Sequence, residues 1–486
     1  MTIMTFGGLD ADVALHILTF LDVATILRCS RVNKFFHQIV SKKSLWLTVV
    51  QNLSARGLVD LPEDSLLRDL STDQLLDEVR RVVIGPRTWA SGRVSPKVLR
   101  EITVHLGTHR ADPNLLPGGR HMTVRAHKME FGANRLTVGA EIWDVHHGVC
   151  LWHWERPNHS VSQIAVEFVG GEFQAVVCLV FKDLEDDWFL FVLDVDLRSG
   201  TSSDRFHLRL PRNTRSPRPR ICGDLVSCGL DAGSWSGSFL LRWRTKEGLI
   251  IESDYSEVVL FPGHVIFAMP TPNQNIVRIF PLSSFEKQWC SVESLSLSNA
   301  ALLAFLPSVD IFVAGNEIPQ HSTARARQVK FSVSESVVHD DTYDLVVHVL
   351  DHVPDQPRPT LLSRLRERIL PPSPSHTSQG TKWLKTVSRY SVLCPPTLEP
   401  PRLRSVFRHE AHYASMSASG YGMPSYHGYG TISVRRTECI GEEYAYTQGL
   451  IFRGDEAEPA PNSACIAHSG AVLAKYTDHC VVLYYE

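Results

Sequence analysis

The stretch LDADVALHILTFLDVATILRCSRVNKFF, residues 9–36, is apolar on more sides than a surface helix can use, and this constrains the chain more than any other feature. With residues placed at 100° steps from Val13, Ala14, Ile17, Leu18 and Leu21 fall between about 40° and 140°, Leu15 near 200° and Phe20 near 340°. Only Asp12, His16 and Thr19 remain for a polar strip. A surface helix of a self-contained domain needs an apolar stripe of about 100°, so the spacing predicts a helix over 9–21, started near Asp10 and covered on two sides. Asp22 is placed to cap a second helix by accepting from the N–H of Ala24 or Thr25, with Ile26, Leu27 and Cys29 as its buried face. Asn33 caps a third over 34–40, where Phe35, Phe36, Ile39 and Val40 again exceed one face. Three short helices in about 40 residues approach the size at which a chain cannot bury enough surface alone. Each large aliphatic residue left in water forfeits about 1.5–3 kcal/mol. The segment therefore needs a cover, either the rest of the chain or another protein.

Leu9, Val13, Ile17, Leu18, Leu21, Asp22, Ile26, Leu27, Arg28, Val32, Lys34 and Phe36 stand, without a gap, where the F-box motif has its leucine, helix-one aliphatics, L-D junction, L-L-R run and V-x-K-x-W/F end. The chain thus resembles the F-box family, in particular fungal F-box domain-containing proteins. It departs at Asp10, where the family usually has proline; Asp still starts a helix, but a contact from the proline ring would be lost. The resemblance implies that Leu9, Val13, Ile17, Leu18, Leu21, Val32, Lys34 and Phe36 dock on a Skp-type adaptor and, through it, a cullin, some of them forming the small internal core instead. A helical cap packed only on the downstream domain is the alternative.

Downstream, LPEDSLL (residues 61–67) reads as a turn and short helix. Ser71 and Gln74 form a capping box before a helix burying Leu75, Leu76, Val79, Val82 and Val83, and Gly85-Pro86 ends it. From Trp89 the period changes to short β runs such as LTVGAEIWDV, QAVVCLVF, WFLFVLDVDL and HCVVLYYE, separated by Gly, Pro, Asn, Asp or Ser clusters. Trp143, Leu193 and Trp243 recur about every 50 residues, near the length of a propeller blade. Each precedes a polar turn ending at Gly148, Gly200 or Gly248, and Trp143-Asp144 is the dipeptide of WD repeats. The pattern blurs after about residue 285. It predicts a degenerate WD-repeat-like β-propeller of about seven or eight blades, with a multi-sheet sandwich array as the alternative. If the ring closes, HCVVLYYE pairs beside LREITVHL (residues 99–106), removing two exposed edges.

The fold class expected is α+β multidomain: a flexible start over 1–8, an F-box over 9–50, bridging helices over 51–88 and a large all-β domain over 89–486. Loop excursions are expected near 211–220, 353–380 and 414–430, the second carrying a short helix through Leu361, Leu362, Leu365 and Ile369.

No enzymatic constellation is visible. HEAH (409–412) misses the zinc-binding H-E-x-x-H by one residue, so its histidines cannot share a helix face. GSWSG (233–237) has Trp where a nucleophile elbow needs Ser, and phosphate-cradling glycine loops are lacking. A net charge of -3 carries no nucleic-acid signature, and the ten scattered cysteines form neither a disulfide framework nor a zinc knuckle. No secretory leader or bilayer-length apolar run is seen. The expectation is a non-enzymatic substrate receptor of an SCF-type ubiquitin ligase, cytoplasmic or nuclear. It would need no cofactor or metal and would bind an unknown target protein, with no nucleic acid or membrane partner. A non-ligase scaffold or ligand-binding propeller remains the rival reading.

Overall fold

The computed structural model describes residues 10–59, 67–90, 97–106, 110–130, 135–156, 159–169, 173–183, 185–210, 217–231, 236–252, 258–270, 275–295, 301–302, 309–313, 328–354, 381–394, 402–410, 413–416, 421–424, 431–440, 443–453, 461, 463–467 and 469–485. Its helices are α1 (Ala11–Leu18), α2 (Val23–Cys29), α3 (Lys34–Val40), α4 (Lys43–Ala55), α5 (Thr72–Ile84) and α6 (Arg87–Ala90). Their starts are set locally. Asp10 accepts from Asp12 N–H, Asp22 from Thr25 N–H and Asn33 from Phe36 N–H, each satisfying an N–H that has no partner inside its helix. Ser71 and Gln74 form the reciprocal capping box, and Gly85, at φ 95°, ends α5 in a backbone region that costs glycine little. Ala14, Leu18, Ile26, Ile39, Leu45, Trp46, Val50, Leu75 and Val79 then close a single core across α1–α5. Within it, the Trp46 indole N–H donates to the Val40 carbonyl at 2.7 Å.

The β region is a ring of four-stranded antiparallel meanders, seven among the described residues. Blade 1 comprises Arg110–Leu115, His121–Glu130, Arg135–Asp144 and Val149–Trp154; blade 2, Ser160–Phe168, Gln174–Lys182, Trp188–Asp196 and Thr201–Arg209. A single parallel bridge, Val138 to Ser160, joins these two blades. Blade 3 comprises Pro219–Cys222, Leu225–Asp231, Ser236–Arg242 and Glu247–Glu252; blade 4, Val258–Phe261, His264–Pro270, Asn275–Pro281 and Val309–Val313. Blade 5 comprises Gln328–Glu335, Thr342–Pro354, Thr381–Leu393 and Arg402–Glu410; blade 6, Tyr413–Met416, Tyr421–Pro424, Thr431–Ile440 and Glu443–Arg453. Ser463–Ile466, Val472–Lys475 and His479–Tyr485 make the inner three strands of blade 7, and Val98–His105 supplies its outer strand. That last pairing, from Val98 opposite Tyr485 to His105 opposite His479, closes the ring and removes the two edges a linear array would expose. First strands of successive blades meet around the axis, among them those of blades 2 and 3, 3 and 4, 4 and 5, and 6 and 7.

The cores lie between blades. Trp152, Trp154, Leu179, Phe181 and Leu193 join blades 1 and 2; Cys178, Val192, Val226, Phe239 and Leu241 join blades 2 and 3. The 50-residue pattern has a local cause. Asp144 accepts from the N–H groups of His146 and His147, and Asp196 from those of Arg198 and Ser199, so each aspartate folds the hairpin between third and outer strands. Gly148 and Gly200 take positive φ there, but in blade 3 it is Lys246 that does so, and Gly248 lies within the outer strand. The pattern fades after residue 285 because blade 4 is interrupted before its outer strand. The insertion turns through Leu282–Phe285 and Val292–Ser294 and lends Cys290–Ser291 to the edge of blade 3.

Within 414–430, expected as a loop excursion, two strands of blade 6 are found. Residues 219–220, at the end of the loop expected near 211–220, lie in the first strand of blade 3, Pro219–Cys222. Residues 61–66, 211–216 and the helix expected over 361–369 lie outside the described residues.

Candidate protein-binding face on the N-terminal helices

The helical core covers α1–α3 on one side, and part of the propeller covers them on another. The turn after the first strand of blade 5 contributes Val337 to that core. Its Val338 carbonyl accepts from Ala24 N–H at 3.1 Å, and His339 Nδ1 lies 3.3 Å from Asp22 Oδ2. Burial raises the Asp22 pKa, but bonding from Thr25 and His339 outweighs it and holds the carboxyl below its ordinary range. Behind this contact, Arg56 pairs with Glu335 at 2.7 Å and Asp340 at 3.3 Å. Gly118, at φ 75°, lets the blade 1 turn approach Gly57; an added Cβ would stand 2.7 Å from the Gly57 carbonyl oxygen.

The other side is open. Val13, Ile17, Phe20, Leu27 and Val32 are 48%, 47%, 72%, 44% and 68% exposed, a concentration of large apolar side chains in one small segment. Arg28, Arg31 and Lys34 are exposed beside Leu27 and Val32. Of the residues singled out from the sequence, Val13, Ile17, Val32 and Lys34 are exposed, Leu21 and Phe36 half-buried, Leu18 sits in the chain's own core, and Leu9 lies outside the described residues.

Leu27 was expected on the buried face of α2 and instead points to solvent. Ile26 fills the interior, half-buried Cys29 packs beside it, and Leu27 is rotated away from both. Phe20 carried a legible signal, its angle of about 340°, far from the Ala14–Leu18 side of the helix. It projects just past α1, with its ring 4.9 Å from that of His16.

Among the described residues no group of three or more His, Cys, Asp or Glu is placed to hold a metal ion, and no helix is long and apolar enough to cross a membrane. Among the described residues nine cysteines are free, and burial pushes the Cys222 thiol up to about 12.

An F-box-like family model matches residues 11–52, the segment that carries the open face. No curated protein matches the chain. Among solved structures, the WD40 domain of SCAP from fission yeast is 10% identical, covering 77% of this chain and 81% of its own, with a TM-score of 0.39. The WD40 domain of coronin from Toxoplasma gondii is 8% identical over 80% and 87%, with a TM-score of 0.38. Chaetomium thermophilum Sqt1, bound to the N-terminus of ribosomal protein L10, is 9% identical over 81% and 100%, also at 0.38. With scores of that size, the propeller architecture rests on this chain's own strand pairing.

Proposed function

We propose that this chain is a substrate receptor of an SCF-type cullin-RING ubiquitin ligase. α1–α3 dock on a Skp-type adaptor, which joins the chain to a cullin, and the propeller holds a target protein. The observation that carries this is the open apolar face lying within the segment matched as F-box-like. Burying such side chains at an interface regains about 1.5–3 kcal/mol each. The exposed Arg28, Arg31 and Lys34 beside Val32 favour a partner whose rim is acidic. The half-buried Leu21 and Phe36 contribute at its margin, and Leu9, outside the described residues, is included as an adaptor contact on the motif alone. Leu18 supports it from beneath.

The mechanism is positional. No bond is made or broken by this chain; its contacts with the propeller, through Asp22, Ala24 and Arg56, hold the adaptor-bound helices and the target in one frame. A target lysine kept near a ubiquitin-charged enzyme reacts at a raised effective concentration. Work of this kind belongs in cytoplasm or nucleus.

The test is co-expression of the full chain with a Skp adaptor. The wild type co-purifies with it. Val32→Asp, at an exposed position, loses the adaptor while its thermal unfolding temperature stays unchanged. An adaptor retained by Val32→Asp, or never captured by the wild type, sinks the reading in favour of an internal cap.

A further inference from the structure

Blades 2 and 3 part at one end. On the side of blade 2 turned to blade 3, Cys178, Val180, Leu190, Val192 and Phe206 pack into the shared core. Asp194, two residues on from Val192, takes the same side of its strand, and Ser203 of the outer strand pairs with it. Polar side chains do not close the seam as the apolar ones do. A cleft of about 430 Å³ opens there, with Arg244 of the blade 3 hairpin in its wall and Val169, 40% exposed, beside it.

Two carboxylates and two guanidiniums line this cleft, and their bonding separates them. Asp194 accepts from Arg205 Nε, and Asp196 accepts from the N–H groups of Arg198 and Ser199 within its own turn. Arg244 pairs with no carboxylate among the described residues. Its guanidinium stacks on Trp243, 4.8 Å from the ring centre, and that buried ring is fixed by its indole N–H, which donates to the Gly223 carbonyl at 3.2 Å. A guanidinium held on a ring keeps its edge donors for a carboxylate and has less freedom to lose when one binds. Lys246 stands exposed in the same turn.

The outer strand of blade 2 supplies a second kind of contact. Thr201–Arg209 is last in its sheet and residues 201–205 are exposed, so among the described residues no strand lies beside this edge. Blade 3 shows what an edge of this ring accepts. Its outer strand carries Cys290–Ser291 antiparallel against Glu247–Gly248 and Ala301–Leu302 parallel against Ile251–Glu252, both lent by the insertion in blade 4.

We infer that the cleft between blades 2 and 3 docks an extended acidic peptide segment of a partner protein. Its backbone adds a strand along residues 201–203, a carboxylate sits on Arg244, and an apolar side chain lies against Val169. In strand addition, backbone bonds give affinity and side-chain contacts give selectivity; the surplus positive charge of Arg244 and Lys246 sets the sign of the partner. Docking here does not depend on the adaptor reading.

The test is fluorescence anisotropy of the full-length chain with a labelled octapeptide in which glutamate alternates with threonine and valine, against the same peptide with glutamine for glutamate. Saturable binding of the acidic peptide is expected, at least tenfold tighter than the glutamine form. Arg244→Glu, at an exposed position, weakens it at least tenfold without altering thermal unfolding, whereas Arg68→Glu, the same change of charge at an exposed position ahead of α5, leaves it unchanged. N-methylation of alternate peptide nitrogens, made in both registers, weakens at least one of the two forms tenfold, because one register faces the edge strand. An acidic peptide that does not bind, that binds no better than the glutamine form, that is indifferent to Arg244→Glu or equally sensitive to Arg68→Glu, or that keeps its affinity in both methylated forms overturns the proposal.

Discussion

In blade 2, residues 175–181 are buried one after another, both faces of the strand covered by neighbouring blades, whereas α1–α3 and the turns after them leave Val13, Ile17, Phe20, Leu27 and Val32 in water. The two regions are comparably apolar in sequence. They differ in closure. A ring gives every inner strand two neighbours and, through the Val98–His105 strand, leaves no unpaired edge at its seam; three short helices enclose one small core and run out of chain to cover their outer side. Apolar surface in the propeller therefore contributes to stability, and apolar surface on the cap is available for association.

That contrast breaks most sharply in the propeller core. Phe181→Ala, deleting a fully buried ring between Trp154 and Phe191, should cost about 3–5 kcal/mol in urea unfolding while adaptor capture by the folded fraction is unchanged. A smaller loss, or a matching loss of adaptor affinity, would mean the two regions are not separable.

Next in size is an acid dependence that belongs to the propeller side of the junction. With the folded His121 pKa at about 4 and the ordinary value at 6.5, the unfolded chain accepts a proton that the folded chain refuses anywhere between those values. The contribution is whole above pH 6.5 and is lost as pH falls toward 4, about 3 kcal/mol in all. His121→Gln should flatten that part of a pH–stability profile.

On the open face the signs reverse. Phe20→Asp should leave unfolding within about 0.5 kcal/mol of the wild type yet weaken adaptor binding by tenfold or more, about 1.4 kcal/mol, read by titration calorimetry. The smallest effect is at the contact between the regions. Asp22→Ala removes both the α2 cap and the His339 partner, and a loss of about 1 kcal/mol is expected, seen as faster amide exchange in α2.

Much of this fold is legible in the sequence because its signals are short-range. Asp22 and Asn33 reach an N–H three residues away, and so do the paired Ser71 and Gln74. Alternating strands and the recurring Asp-containing turns are equally local, and the closing strand pair followed from the need to bury edges. The open face was legible as an excess of apolar positions, though not as a list of residues: Leu18 and Leu27 are both leucines of the same motif, and one lies inside while the other lies outside.

What the sequence determined by itself is where helices start and stop, where the period turns to β, and that the first helices carry more apolar surface than they can hide. Only the tertiary structure decided which of those side chains stay in water, and that the helices rest on the blade 5 turn through Asp22 and His339, 317 residues apart. Caps and alternation depend on atoms within a few residues along the chain. Exposure and charge balance depend on which distant strands arrive, and that is settled only when the ring closes.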